Sequence, residues 1–232
     1  MWDFLDGHKD ILCKSQLPFE ILDGRWNAYL GETNEFVTIS SRKYHYWKIS
    51  NNLILQYQEG DMPKGRDLFS SKDDALTTCE FVMPTLEQIS VYLIIGLNNG
   101  WAWVSDSRCN QFMYNVKVID GPIRQIFSSK SKIIIEGSGD QVVHCWPQGV
   151  SGIDSSDPQS FFCSKERTLT LDGFPQGTSY DEGCNEAMVS TSSGTIWFLS
   201  WTENATIKIK SCHSPQHAIS SIDFKYLPPS QF

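Results

Sequence analysis

Apolar residues along the chain fall in short runs rich in β-branched and aromatic side chains, separated by Gly, Asn, Asp and Ser, with almost no recurrence at helical spacing. That pattern predicts many short strands. The runs are Glu35 to Ser40, Tyr44 to Ile49, Leu53 to Tyr57, Val91 to Ile95, Trp101 to Val104, Asn115 to Ile119, Lys132 to Ile135, Val142 to Trp146, Thr168 to Leu171, Thr195 to Leu199 and Thr206 to Lys210. An all-β chain is expected.

The strands recur as a pair: an apolar strand, a tight polar turn, then a strand that closes on an aromatic and a polar residue. Aligned by their turns, the pairs close at Trp47, Ser105 with Asp106, Trp146 and Leu199 just after Trp197, and Trp2-Asp3 reads as the end of a further pair. The turns hold Gly96 to Gly100, Gly137 to Asp140 and Gly194. Spacings of roughly 40 to 60 residues with several strands in each are what propeller blades require. A second register supports the first, because Val118-Ile119-Asp120-Gly121 and Thr170-Leu171-Asp172-Gly173 each close one outer strand and open the next inner one. Asp-Gly suits such a corner, since Gly tolerates positive φ and Asp hydrogen-bonds the turn backbone. Leu5-Asp6-Gly7 and Leu22-Asp23-Gly24 repeat the words at other places in the blade and are read as unrelated turns.

Blades pack on neighbours through both faces, so their strands look apolar on both sides. Two long gaps, near 58–74 and 148–160, are read as loop insertions, rich in turn residues and poor in anchors. The expectation is one partial propeller over residues 1–232: about four complete blades, plus strands of incomplete blades at both ends, Trp2-Asp3 and His217 to Phe224. A closed ring removes sheet edges, so the sequence predicts part of a larger propeller, a short isoform or a partial gene product.

These residues resemble the WD-repeat β-propellers: Trp2-Asp3, Gly96 and Gly100 before Asp106, Gly137 and Asp140 before Trp146, and Cys212-His213 in the Gly-His slot. More narrowly, Asn34 to Thr38 followed by Tyr46-Trp47, and Ser193 to Trp201 followed by Ile207 to Ile209, resemble the WD repeat-containing protein 90 family, a centriole and cilium family. The echinoderm microtubule-associated protein-like family has a similar Phe-Val-Thr blade. The resemblance implies a cytoplasmic, cytoskeletal scaffold without catalysis or cofactor, whose partners are proteins, tubulin and centriolar or axonemal components among them. The alternative is a general cytosolic adaptor in another multiprotein complex. In the usual repeat a His, an Asp, a Ser or Thr and a Trp form a buried network. No complete blade here has all four, since Pro122 stands where the His of Asp140 and Trp146 belongs and His213 opens a blade that is cut off.

Composition narrows the classes. With 40% hydrophobic and 20% charged residues the chain is a globular protein in balance. Nineteen Lys and Arg against 27 Asp and Glu leave a net charge of −8, which argues against a general nucleic-acid binder. Its longest apolar run, Val91 to Ile95, is far short of a membrane-spanning helix, and no membrane role is expected. The acidic start, Met1 to Asp6, lacks the pattern of a signal peptide. Seven cysteines without a Cys-x-x-Cys pair point to neither a disulfide framework nor a zinc ribbon.

Candidate chemistry is sparse. Gly137-Ser138-Gly139 precedes a strand rather than a helix and reads as a hairpin turn, not a dinucleotide loop. His144-Cys145 and Cys212-His213 lack a second spaced pair and are read as core or turn residues rather than metal ligands. Asp73-Asp74 and Asp181-Glu182 read as solvated loop charges. Tyr44, Tyr46, Trp47, Trp101, Trp103, Trp197 and Trp201 are read mostly as blade core. Arg42-Lys43, Lys130 with Lys132, Lys165 with Arg167, and Lys208 with Lys210 are the basic pairs that an acidic protein surface could meet.

Overall fold

A computed structural model of the protein describes residues 17–30, 34–50, 55–60, 71–83, 90–107, 111–129, 132–138, 141–146, 150, 158–162, 167–181, 186–200 and 205–209. Within them lie sixteen strands in four four-stranded antiparallel sheets, each a meander in sequence order. The first sheet is β1 (Asp23–Trp26), β2 (Glu35–Ile39), β3 (Tyr44–Ile49) and β4 (Leu55–Glu59). The second is β5 (Leu76–Val82), β6 (Tyr92–Leu97), β7 (Trp101–Asp106) and β8 (Phe112–Lys117). The third is β9 (Ile123–Ser129), β10 (Lys132–Gly137), β11 (Val142–Trp146) and β12 (Arg167–Thr170). The fourth is β13 (Pro175–Tyr180), β14 (Glu186–Thr191), β15 (Ile196–Ser200) and β16 (Ala205–Ile209). Two 3₁₀ turns, Ala28–Leu30 and Pro158–Phe161, are the helical segments among the described residues.

The first strand of one sheet lies against the first strand of the next, β1 on β5 and β5 on β9, so the first strands line the axis and the fourth lie outermost. This is a partial WD-repeat β-propeller. Three apolar seams hold it together. Val37, Ile39, Tyr44 and Tyr46 of the first sheet meet Phe81, Leu93, Ile95, Leu97 and Trp103 of the second. The second sheet turns Tyr92, Ile94, Val104 and Tyr114 to Ile123, Ile126, Ile133 and Ile135 of the third. The third turns Ile134, Val143 and Cys145 to Ala187, Val189 and Leu199 of the fourth. In β6 and β10, alternate residues serve opposite seams, which is why all of Tyr92 to Leu97 is buried.

The first strands carry a repeated irregularity. In β5, β9 and β13 the register against the second strand slips by one residue near the strand start, leaving Thr77, Arg124 and Gln176 as the extra residues. Such a bulge bends and twists the strand locally. Asp120-Gly121 and Asp172-Gly173 stand between outer and inner strands as expected, with Gly121 at φ +91°. Leu22-Asp23-Gly24 is a correction: Asp23 and Gly24 open β1 and pair with Ile39 and Thr38. The terminal strands expected at Trp2-Asp3 and at His217 to Phe224, together with Asp140 and His213, lie outside the described residues.

The insertion near 148–160 returns as an anchor. Pro158–Phe161 packs on β8, where Phe161 is buried against Tyr92 and Tyr114 at ring distances of 5.7 and 5.6 Å. Phe162 meets Trp146 at 5.0 Å, and Val150 bridges to Phe162. One segment thus ties the outer strand of the second blade to the third strand of the third blade. In the insertion near 58–74, Gln58 and Glu59 belong to β4, and Ser71 to Asp74 form a turn in which Ser71 N–H donates to the Asp74 carboxylate at 2.9 Å.

Candidate functional site

The repeat positions among the described residues are turn and core positions. Trp47 is buried and its Nε1 donates to Thr38 Oγ1 at 2.8 Å. Gly96 lies where a Cβ would meet the Ile123 side chain at 2.7 Å, so it lets the second and third blades approach. Gly100 (φ +82°) and Gly194 (φ +78°) take the left-handed corner of the turns between second and third strands, a conformation that side chains resist. Asp106 closes the β7–β8 connection by accepting the Gln111 N–H at 3.1 Å, and Asp181 does the same for Glu186 at 2.7 Å. Gly137 ends β10, and Trp146 is buried against Phe162.

In the fourth sheet the acceptor of the usual network comes from an unexpected residue. Asp172, in the corner before β13, accepts from Trp197 Nε1 at 3.0 Å, from Thr191 Oγ1 at 3.1 Å and from Thr195 Oγ1 at 2.8 Å. Asp172 thus gathers three side-chain donors, and the blade keeps a polar knot as well as apolar packing. The Asp-Gly pattern located Asp172, but spacing alone gave no sign of its partners.

The inner strands hold the polar clusters that sequence reasoning missed. At the first seam, Asp23 Oδ2 accepts from Thr78 Oγ1 at 2.9 Å and from the Cys79 N–H at 3.2 Å. Arg25 bridges Asp23 at 2.7 Å and Glu80 at 3.4 Å, and the Phe81 N–H donates to Glu80 at 3.0 Å. Burial pushes the Glu80 carboxyl up to about 7 against the opposing pull of Arg25, and the same burial raises the Cys79 thiol well above its ordinary value. At the third seam, Glu136 is fully buried; it accepts from Arg124 at 3.2 Å and from Tyr180 OH at 2.7 Å. Burial raises its carboxyl too, opposed by those donors. The Arg124 guanidinium also donates to the Gln176 carbonyl, joining two bulge residues of adjacent blades. Between the second and third blades, Ser128 donates to the Phe81 carbonyl and contacts Tyr29 OH at 3.0 Å.

Arg42-Lys43 is engaged within the chain: Arg42 donates to the Lys72 carbonyl, and Lys43 pairs with Glu59 at 2.9 Å. Tyr44, Tyr46, Trp47 and Trp103 are core, whereas Trp101 stands exposed. Cys79 and Cys145 are free thiols. Among the described residues, no group of three or more His, Cys, Asp or Glu is placed to hold a metal ion, and no helix is long and apolar enough to cross a membrane. Arg25 with Glu80 and Arg124 with Glu136 are paired at the seams.

No protein-family model matches the chain. It is 32% identical to WD repeat-containing protein 90 of Mus musculus over 78% of its length, and 29% identical to the Homo sapiens protein of the same name over 88%. The chain spans about a tenth of the length of these relatives, 9% and 11% respectively. Among solved structures, the β-propeller domain of Cps50 (Swd1) from Myceliophteria thermophila superposes with a TM-score of 0.65 at 12% identity, over 96% of this chain and 69% of that one.

Proposed function

Given that this chain is a WD-repeat β-propeller segment resembling part of WD repeat-containing protein 90, we propose that it is a non-catalytic scaffold that binds other proteins in centriole or cilium assembly. The observation that carries the scaffold reading is the disposition of the charged residues at the blade seams. Arg25, Glu80, Arg124 and Glu136 are paired with one another inside the blade seams. They stiffen the inner strands instead of converging on a substrate. A rigid scaffold carrying variable loops and edges is suited to protein recognition. Fold does not by itself fix function, so the cellular assignment rests on the resemblance.

The test is the position of the endogenously tagged protein, imaged against tubulin and centriole markers in ciliated cells. Enrichment at centrioles or axonemes is expected. A diffuse or unrelated location would discard the centriolar assignment and leave an adaptor of another complex. Co-pelleting with microtubules at increasing salt then separates direct tubulin binding, which weakens with salt because it is electrostatic, from recruitment through another protein.

A further inference from the structure

Each four-stranded sheet ends in an outermost strand with no fifth strand beside it. Natural sheets guard such edges with covering segments, prolines or basic side chains, because unpaired backbone groups template further pairing. Pro158–Phe161 packs on β8, which ends in Lys117, while β12 begins with Arg167 and β16 carries Lys208. Among the described residues, β4 alone has none of these guards. It reads Leu55-Gln56-Tyr57-Gln58-Glu59, and all but Leu55 are exposed, Tyr57 by 51%. Its single charge, Glu59, is matched by Lys43 of its own sheet at 2.9 Å. The ladder fixes which backbone groups this edge offers. The Gly60 N–H donates to the Tyr44 carbonyl at 2.9 Å, so Tyr44, Tyr46 and Lys48 turn their backbone groups toward Gly60, Gln58 and Gln56. The Ile49 N–H donates to the Asn34 carbonyl at 2.8 Å on the other side of β3, in keeping with that alternation. Leu55, Tyr57 and Glu59 therefore direct N–H and C=O away from the sheet, where no described strand meets them.

We infer that β4 pairs antiparallel with β4 of a second copy of this chain, centred on Tyr57, so that two first sheets join edge to edge. Register is the first argument. With Tyr57 opposite Tyr57 of the second copy, Leu55 faces Glu59, and every outward-facing residue of both strands exchanges hydrogen bonds. Sliding by two positions in either direction carries one of them past the end of the other strand. Side-chain chemistry is the second. The close, non-hydrogen-bonded positions set Gln56 against Gln58 of the second copy, and a carboxamide both donates and accepts. The paired Tyr57 rings form an aromatic cross-strand contact, and Glu59 lies opposite Leu55 instead of another Glu59, so no like charges are opposed. An unrelated strand would require no such self-match. Size sets the strength: five paired residues fall well short of the roughly 1,000 Å² that a stable interface buries. The pairing is therefore reversible and grows with concentration.

The experiment is disulfide trapping with the purified full chain. Chains carrying Gln56→Cys or Gln58→Cys are prepared separately and oxidised alone or mixed, and the linked peptides are identified by mass spectrometry. Opposed Cα atoms of a close pair lie about 4.5 Å apart, within disulfide reach, whereas diagonal positions lie about 7–8 Å apart. The mixture should give the intermolecular disulfide between the two substituted positions, in an amount that rises with protein concentration, and neither chain alone should link to itself there. Leu55→Pro, added to both chains, removes an outward N–H at the first residue of the strand, where proline is tolerated. It should suppress the trap severalfold while urea melts stay superposed on those without it, and Tyr57→Pro is a second block at the centre of the register. Equal trapping in all three oxidations would reveal collision without register and overturn the inference. Absence of the disulfide from the mixture at the highest soluble concentration would show that this edge does not pair with itself. Trapping that survives both prolines would show that backbone hydrogen bonds do not hold the contact, and would sink the inference equally. All of these outcomes are read on isolated protein, so the scaffold proposal fails or stands separately.

Discussion

Trp47 and Thr38, nine residues apart on adjacent strands, are joined by a buried hydrogen bond of 2.8 Å from the indole nitrogen to the threonine hydroxyl. The turn between β2 and β3 brings them together, and the Phe36 and Tyr57 rings close over the indole. Replacing Trp47 with Ala should cost about 3–5 kcal/mol, the usual loss for a large buried aromatic. Thr38→Val keeps the shape and strands the indole N–H, which should cost about 1–3 kcal/mol. Urea melts of the two variants measure both, and a Thr38→Val curve superposing on the parent would show that the hydrogen bond is energetically idle.

Glu80 gives the fold a pH dependence of definite sign. Its carboxyl sits near 7 in the folded chain because it is buried, whereas an exposed Glu titrates near 4.3. The folded protein therefore holds a proton that the unfolded chain releases. The associated stability is fully present below about pH 4 and is lost as pH rises through 7, on the order of 3 kcal/mol for a shift of this size. Glu136, raised in the same direction, adds to the slope. Glu80→Gln should flatten part of the decline between about pH 4 and 7 in chemical melts. A variant whose pH profile parallels that of the parent would remove Glu80 as its source.

Gly100 holds a corner that no other residue fits. At φ +82° an added Cβ would lie 2.1 Å from the Ile119 carbonyl oxygen, which is backbone and cannot swing aside. The Gly100 carbonyl also accepts the Val118 N–H at 3.0 Å, tying the turn to the start of the next corner. Gly100→Ala should destabilise by at least about 1–2 kcal/mol from the left-handed conformation alone, and by more from the clash. Thermal unfolding measures it, and an unchanged midpoint would contradict the turn geometry.

Phe161 should behave as a clasp. Its ring is buried between Tyr92 and Tyr114, contributed by a segment from the third blade to the outer part of the second. Phe161→Ala should cost about 3–5 kcal/mol and should raise amide exchange in β8 ahead of β6. Trp146→Ala removes the support of Phe162 and should cost a similar amount. Uniform exchange across the second sheet in the Phe161 variant would argue against a local clasp.

The second, third and fourth strands of the sheets were legible as apolar runs. Tyr44 to Ile49 and Val142 to Trp146 match their observed bounds, and the other strands are displaced by one to three residues. The Asp120 and Asp172 corners were legible too, because Asp-Gly has a local conformational meaning. Every first strand was missed. β1, β5, β9 and β13 are short or mixed in polarity, carry Arg25, Glu80, Arg124 and Gln176, and in three of the four sheets a bulge breaks the alternation on which strand reading depends.

What the sequence by itself determined is therefore the part governed by neighbours along the chain: the all-β class, the blade spacing, the turns and the strands that bury both faces. Tertiary structure decided the rest. Arg25 meets Glu80 and Asp23 meets Thr78 across 55 residues, and Tyr180 reaches Glu136 across 44. A charged residue reads as a solvated one until its partner is known, and these partners lie on a different sheet. The inner strands become strands because the adjacent blade satisfies their polar groups, a condition that no local pattern records.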